Sequence, residues 1–257
     1  VGGLRIIFLP SRLIKVLLAS FILVTVIGFG YVVYLNQNQP EVSRASSPHY
    51  QGSTNQKMVS LTFNVDWGEE YLPGLLEILN NEDIKATFFV TGKWAERQPE
   101  LVKQIVKAGH DLGNHGHGHR HLKNLSNEEL VKEITGGEKI LQAVSGQKPR
   151  LFAPAYGEVD DRISRVASHL GYEVVMWSLD TIDWQNPDVA TIVKRVVPRI
   201  HNDAIILMHP TKPTVEALPQ IIKQLKKEGY KMIPVSALIA ETTDSKSEKE
   251  TSKNKQP

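Results

Sequence analysis

His115 and His119 stand four positions apart in the run Gly113-Asn114-His115-Gly116-His117-Gly118-His119-Arg120-His121, with glycines between them. Imidazole nitrogens at that spacing converge on one ion from a helical turn or a tight loop, and the glycines let the backbone bend toward it. A solvated histidine-rich loop is the plain alternative. The strand-like His110-Asp111-Leu112-Gly113 that leads into the run favours a built metal site. Upstream, Leu61-Thr62-Phe63-Asn64-Val65-Asp66-Trp67-Gly68 reads as a buried strand that runs out at a carboxylate and a glycine. Asp66 would complete a His, His, Asp set. Three protein ligands leave a fourth position open for water, the arrangement of a hydrolytic zinc and not of a closed structural one.

Elements able to bring these groups together follow from the patterning. Between residues 58 and 239 short apolar runs alternate with amphipathic ones, which is α/β architecture. Seven strands are expected, at Val59–Val65, Ala86–Val90, His110–Asn114, Leu151–Pro154, Glu173–Leu179, Ala204–Met208 and Lys231–Val235. Helices are expected at Leu72–Asn80, Pro99–Ala108, Asn127–Val144, Asp160–Leu170, Pro187–Ile200 and Val215–Glu228. Gly109, Gly171 and Gly229 each follow a helix and read as left-handed caps before the next strand. Asp66, His115, Tyr156, Asp183 and His209 each follow an apolar run. In barrels of alternating strands and helices such positions share the face at the strands' C-terminal ends.

The 257 residues suit one domain with appendages, and the net charge of +2 says little about partners. There is no cysteine, so neither a disulfide framework nor a thiolate nucleophile exists. Residues 16–35 carry no charge, and twenty residues at helical rise span a hydrocarbon core of about 30 Å. Arg5, Arg12 and Lys15 precede that run. The expected organisation is a basic cytoplasmic N-terminus (1–15), a single-pass transmembrane anchor (16–35), a flexible stalk (36–56), one α/β domain (57–240) on the extracytoplasmic side and a disordered polar tail (241–257). A cleaved signal peptide is the competing reading of the apolar run.

The ordered motifs Thr62-Phe63-Asn64-Val65-Asp66-Trp67-Gly68, Gly113-Asn114-His115 with His119, Phe152-Ala153-Pro154-Ala155-Tyr156-Gly157, Asp180-Thr181-Ile182-Asp183-Trp184 and Leu207-Met208-His209 resemble the polysaccharide deacetylases of the NodB-homology family, carbohydrate esterase family 4. The resemblance covers about residues 57 to 240. It implies a distorted (β/α) barrel of seven or eight strands acting on N-acetylated polysaccharide of the cell wall, peptidoglycan or chitin-like, with no nucleic-acid partner. It assigns Asp66, His115 and His119 to zinc or another divalent transition metal, leaving His117 and His121 as flanking residues. It makes the Tyr156 amide an oxyanion donor, His209 the acid that protonates the departing amine, and Asp183 its support. Trp184 and Leu207 would enclose the acetyl methyl group.

Three positions depart from the family pattern, two of them as a pair. Asn64 replaces the aspartate that serves as general base, and Ala153 replaces the arginine that pairs with it; Ala155 also differs from a proline. An amide cannot accept the proton. A retained arginine facing a neutral Asn64 would be a buried uncompensated cation, so the paired loss reads as a remodelled site. Deacetylation is therefore expected to be very weak, with Glu69 or Glu70 as substitute bases to consider. The alternatives are a catalytically degenerate member that binds glycan or a partner, and a zinc amidohydrolase of small non-sugar amides.

Overall fold

The structure, a computed structural model, describes residues 47–240 together with Arg12, Thr25 and Gly28. The chain divides into two units, Val1–Ser43 and Arg44–Pro257, and only the second is described at any length. The expected basic N-terminus, the anchor at 16–35 save Thr25 and Gly28, the first part of the stalk and the tail at 241–257 lie outside the described residues. Among the described residues no helix is long and apolar enough to cross a membrane.

The elements in order are β1 (Met58–Val65), α1 (Leu72–Asn81), β2 (Thr87–Val90), α2 (Gly92–Arg97), α3 (Pro99–Lys107), β3 (Asp111–Asn114), α4 (Asn127–Ser145), β4 (Leu151–Phe152), α5 (Asp161–His169), β5 (Glu173–Val174), β6 (Leu179–Asp180), α6 (Val189–Val196), β7 (Ala204–Met208), α7 (Lys212–Lys227) and β8 (Lys231–Met232). The strands pair in parallel in the order β5-β4-β3-β2-β1-β7-β6, with β8 beside the start of β1. Curled, this sheet is the expected distorted (β/α) barrel. Gly109, Gly171 and Gly229 take φ of 79°, 82° and 81°, the left-handed caps read from sequence. Helix α2 was not expected, because six residues opening on a glycine carry too little periodicity; the Thr91 hydroxyl caps it by accepting the Trp94 N–H.

Alternation along the strands decides what enters the barrel. On β1, Val59, Leu61, Phe63 and Val65 are fully buried against the helical layer, where Phe63 stacks on Phe88 at 4.9 Å. The alternate residues Ser60, Thr62 and Asn64 form a polar column on the other face. The Ser60 hydroxyl donates to the Ile233 carbonyl at 2.7 Å, and Thr62 donates to that of Ile206 at 2.9 Å. Apolar residues of the inner face, Phe89, Leu151, Ala153, Val175 and Ile205, pack together. Gly113 is required beside them: a Cβ there would come within 2.3 Å of the Phe89 ring.

The strand expected at Glu173–Leu179 is two strands. β5 pairs with β4 at one edge of the sheet, and β6, a few residues on, pairs with β7 at the other. The intervening residues cross the barrel's seam, where the Ser178 N–H bonds the Ile205 carbonyl at 3.1 Å. The seam also takes up residues 47–56, which corrects the expectation of a flexible stalk running to 56. His49 accepts from Met176 N and donates to the Val174 carbonyl, both at 2.8 Å, and the Gly52 N–H reaches the Asp203 carbonyl at 2.9 Å. The buried Asp203 carboxylate accepts from Thr54 Oγ1 and from the Asn55 N–H, the latter at 2.7 Å. A free sheet edge recruits backbone, which the polar composition of this segment hid. A chain starting at Ser47 is expected to be roughly 2–5 kcal/mol more stable to urea than one starting at Lys57, from the hydrogen bonds lost. Equal midpoints would show that the segment contributes nothing.

Candidate active site

The strand ends open into a cleft of about 480 Å³. Asn64, Asp66, His115, His119, Tyr156, Trp184, Leu207 and His209 line it, and Asp183 lies buried behind His209. The residues singled out from the sequence thus lie together in one place. Trp67, Trp177 and Asp180, which were not among them, line the same cleft. The signal for Asp180 and Trp67 was present, since both stand inside the motifs next to residues already singled out.

One wall carries the candidate ligands. Asp66 follows β1, and its Oδ1 accepts from the Thr91 hydroxyl at 2.7 Å. His115 follows β3, is 2% exposed, and its Nδ1 donates to the Ala153 carbonyl at 2.7 Å. That bond fixes the tautomer and leaves Nε2 as the lone-pair nitrogen. Burial, then the neighbouring His119, pushes the His115 imidazole down to about 3, so it stays neutral and able to donate electrons. His119 is also lowered, first by burial, against the pull of the Asp66 carboxylate. The two rings meet edge to face at 5.0 Å.

The loop between them is held from outside. Gly92 N and Lys93 N at the start of α2 donate to the Gly116 and His117 carbonyls at 2.9 and 2.8 Å. The buried Glu133 of α4 accepts the Gly118 N–H at 2.6 Å. His119 then takes φ +52°, an uncommon conformation for a residue with a side chain. His117 does not line the cleft; it packs against Gly92 and Gly136, and its Nδ1 is buried without a partner. His121 stacks on Tyr156 at 3.9 Å and bonds Glu158 at 2.9 Å. The donor types fit a divalent ion: a carboxylate and two imidazoles on one wall, with one imidazole fixed and neutral. As placed, though, no three His, Asp or Glu side chains among the described residues stand close enough together to hold one.

The opposite side holds a histidine and a carboxylate. His209 follows β7, and its Nδ1 donates to Asp183 Oδ1 at 2.7 Å. The fully buried Asp183 also accepts, at Oδ2, from the His209 N–H at 2.6 Å and from Thr214 Oγ1 at 2.5 Å. Thr214 lies in the first turn of α7, where an anion is favoured. Ile182 immediately before Asp183 takes φ +49°, a strained geometry for a β-branched residue. Its N–H bonds Asp180 Oδ1 at 2.8 Å, and Arg195 of α6 donates to the Thr181 carbonyl at 2.8 Å, so the strain is held from two sides. Burial raises the Asp180 carboxyl above its ordinary range.

The departures at 64 and 153 are visible as geometry. Asn64 is 7% exposed, and its Oδ1 is buried with no hydrogen-bond donor. Ala153 is buried in the apolar inner cluster, where its methyl group donates nothing. Glu69 is not a substitute base as placed: its Oε2 accepts the Trp94 indole N–H at 3.2 Å, and neither it nor Glu70 lines the cleft. At the mouth Trp67, Tyr156 and Trp184 stand exposed. Tyr156 takes φ +58° and ψ 10° between Pro154 and Gly157, and among the described residues its N–H donates to no backbone acceptor.

Acid should weaken the fold through His110. It is buried beside Phe88 at 5.2 Å, its Nδ1 accepts the Ala86 N–H, and burial followed by the charge of Lys85 lowers it to about 4. The unfolded chain binds this proton at an ordinary pKa near 6.5. Stability is therefore present above that value and falls as pH drops toward 4. Denaturation midpoints across this window should decline in the wild type. They should decline less in His110→Asn, whose amide oxygen can still take the Ala86 N–H; identical slopes would refute the assignment.

A family model described as polysaccharide deacetylase matches residues 51–175. A peptidoglycan-N-acetylglucosamine deacetylase of Bacillus cereus is 37% identical over 191 residues, 72% of this chain and 89% of that protein. The uncharacterized protein YlxY of Bacillus subtilis is 39% identical over 210 residues, 82% of this chain; the chain spans 64% of its length. Among solved structures, a carbohydrate esterase family 4 pseudoenzyme from Bacillus anthracis shares 42% identity with a TM-score of 0.73, over 75% of this chain and 68% of that one. A mutant of the same pseudoenzyme with restored enzymatic activity aligns at 41% identity and a TM-score of 0.73, over 75% and 71% of the two chains.

Proposed function

Since the chain belongs to the polysaccharide deacetylase family, we propose that it is an N-acetylated-glycan-binding member of the peptidoglycan-directed class whose own deacetylation is very slow. The observation that carries this is the buried, donor-less Asn64 Oδ1 in a cleft that otherwise keeps its His209–Asp183 pair and its aromatic mouth. The likeness to a family 4 pseudoenzyme supports the same reading.

In this proposal Asp66, His115 and His119 hold a divalent ion, zinc among the candidates. When bound, such an ion polarises the acetyl carbonyl and acidifies water. The chain's own residues do the rest. Leu207 and Trp184 enclose the acetyl methyl group, the Tyr156 N–H donates to the carbonyl oxygen as negative charge develops, and His209, oriented by Asp183, delivers a proton to the departing amine. Asn64 stands where a proton acceptor is needed and cannot accept one. Acetate release from peptidoglycan and acetylated chito-oligosaccharides, with metal and with chelator, tests this. Turnover at the rate of an active deacetylase, or the absence of any glycan binding, would sink it.

The proposal extends to location: residues 16–35 anchor the domain outside the membrane, on the strength of their uncharged run and the preceding Arg5, Arg12 and Lys15. Protease added to intact cells is then expected to digest the domain. Protection of the whole protein until lysis would reverse the orientation.

A further inference from the structure

Trp67 has no part in the chemistry just described, yet it is 43% exposed at the mouth of the cleft. Among the described residues only a few large apolar side chains are exposed, and Trp67, Tyr156 and Trp184 gather at this one place. Leaving an indole in water forgoes burial worth roughly 25 cal/mol per Å², so a cluster of exposed rings on a concave surface marks a ligand face.

The position of this ring is built. Gly68 takes φ +83°, and a Cβ there would come within 2.1 Å of the Pro210 carbonyl oxygen. Only glycine lets the turn after Asp66 press against the turn after His209. The indole consequently runs parallel to the His209 imidazole, 3° between planes and 6.2 Å between centroids. Both planes bound the same cleft. A flat apolar face held parallel to the imidazole suits a flat ligand that lies against the wall while its amide reaches inward. The C–H-bearing face of a pyranose is such a ligand; a small amide without a ring is not.

Resting on the glycan reading above, we infer that Trp67 is the sugar platform of this site: it packs the apolar face of an N-acetylhexosamine ring and thereby restricts the cleft to glycans over small acyl amides.

The test is calorimetric titration of the full chain with triacetylchitotriose, comparing wild type, Trp67→Ala and Trp67→Phe, with thermal denaturation of each. Trp67→Ala is expected to weaken binding about 5–10-fold, the size of one aromatic contact, and Trp67→Phe to recover most of it at an unchanged melting temperature. Equal affinity of Trp67→Ala and wild type would overturn the platform while leaving the glycan reading intact. Equal loss in both variants, accompanied by a lower melting temperature, would assign Trp67 to the fold and also overturn it. No binding of the oligosaccharide by the wild type would remove the glycan reading and the platform together.

Discussion

Asn64→Asp combined with Ala153→Arg is expected to raise acetate release from N-acetylated glycan by roughly 10²–10⁴-fold over the unmodified chain, the range a positioned proton acceptor contributes. Each single change should do much less. A carboxylate placed alone at 64 enters a nearly sealed position where the oxygen already lacks a donor, so its pKa rises and it accepts protons from solvent before it can take one from water at the reaction centre. A guanidinium placed alone at 153 enters a cluster formed by Phe89, Leu151, Val175 and Ile205, and an unpaired buried cation there should cost about 3–5 kcal/mol. Together the two groups answer each other: the cation supplies the missing donor and keeps the carboxylate ionised. The comparison requires matched metal occupancy and thermal denaturation of all four proteins. A stable double variant that releases acetate no faster than wild type would show that the remodelling extends beyond this pair, with Ala155 the next position to restore.

The site was legible in the sequence because each of its groups follows a strand, and parallel strands in a barrel end on one face. Asp66, His115 and His209 needed no tertiary information to be placed there, since each follows a strand-like run, although polar–apolar alternation is legible only along β1, where Ser60, Thr62 and Asn64 interleave with apolar residues. What was not legible depended on contacts between distant segments. The break of residues 173–180 into β5 and β6 arises because that stretch crosses the seam, a fact about sheet closure and not about local propensity. The packing of His49 and Gly52 has the same origin: a polar, proline-containing stretch reads as linker unless the edge it pairs with is known. Trp67 was missed for a different reason. Its flanking Asp66 and Gly68 explained the motif by themselves, and only the close approach of Gly68 to Pro210 shows that the indole between them is aimed.

Asp183→Ala should be among the most damaging single substitutions in the domain. It removes the acceptor of three donors, the His209 N–H, the His209 ring and the Thr214 hydroxyl, at a position with no solvent access. Buried donors left unpaired cost about 1–3 kcal/mol each, so a loss of roughly 3–5 kcal/mol is expected from a domain whose total stability is of order 5–15 kcal/mol. The strain at Ile182 adds to the effect, because Asp183 helps hold the turn that contains it. Asp183→Asn separates fold from function. Its amide oxygen can keep part of the network, so the stability loss is smaller, but an amide N–H facing the ring makes His209 Nδ1 the acceptor and moves the ring proton to Nε2. A neutral ring with its single proton at Nε2 is a far weaker proton donor than the doubly protonated ring that the Asp183 carboxylate stabilises. In the Asn64→Asp, Ala153→Arg background, Asp183→Asn should therefore lower acetate release by roughly 10²–10⁴-fold while the protein remains folded, the range that a positioned proton donor contributes. Nitrogen chemical shifts of the His209 ring would report the switch. A ring still protonated at Nδ1, or activity unchanged with the ring reversed, would mean that Asp183 supports the loop and does not orient the histidine for proton transfer.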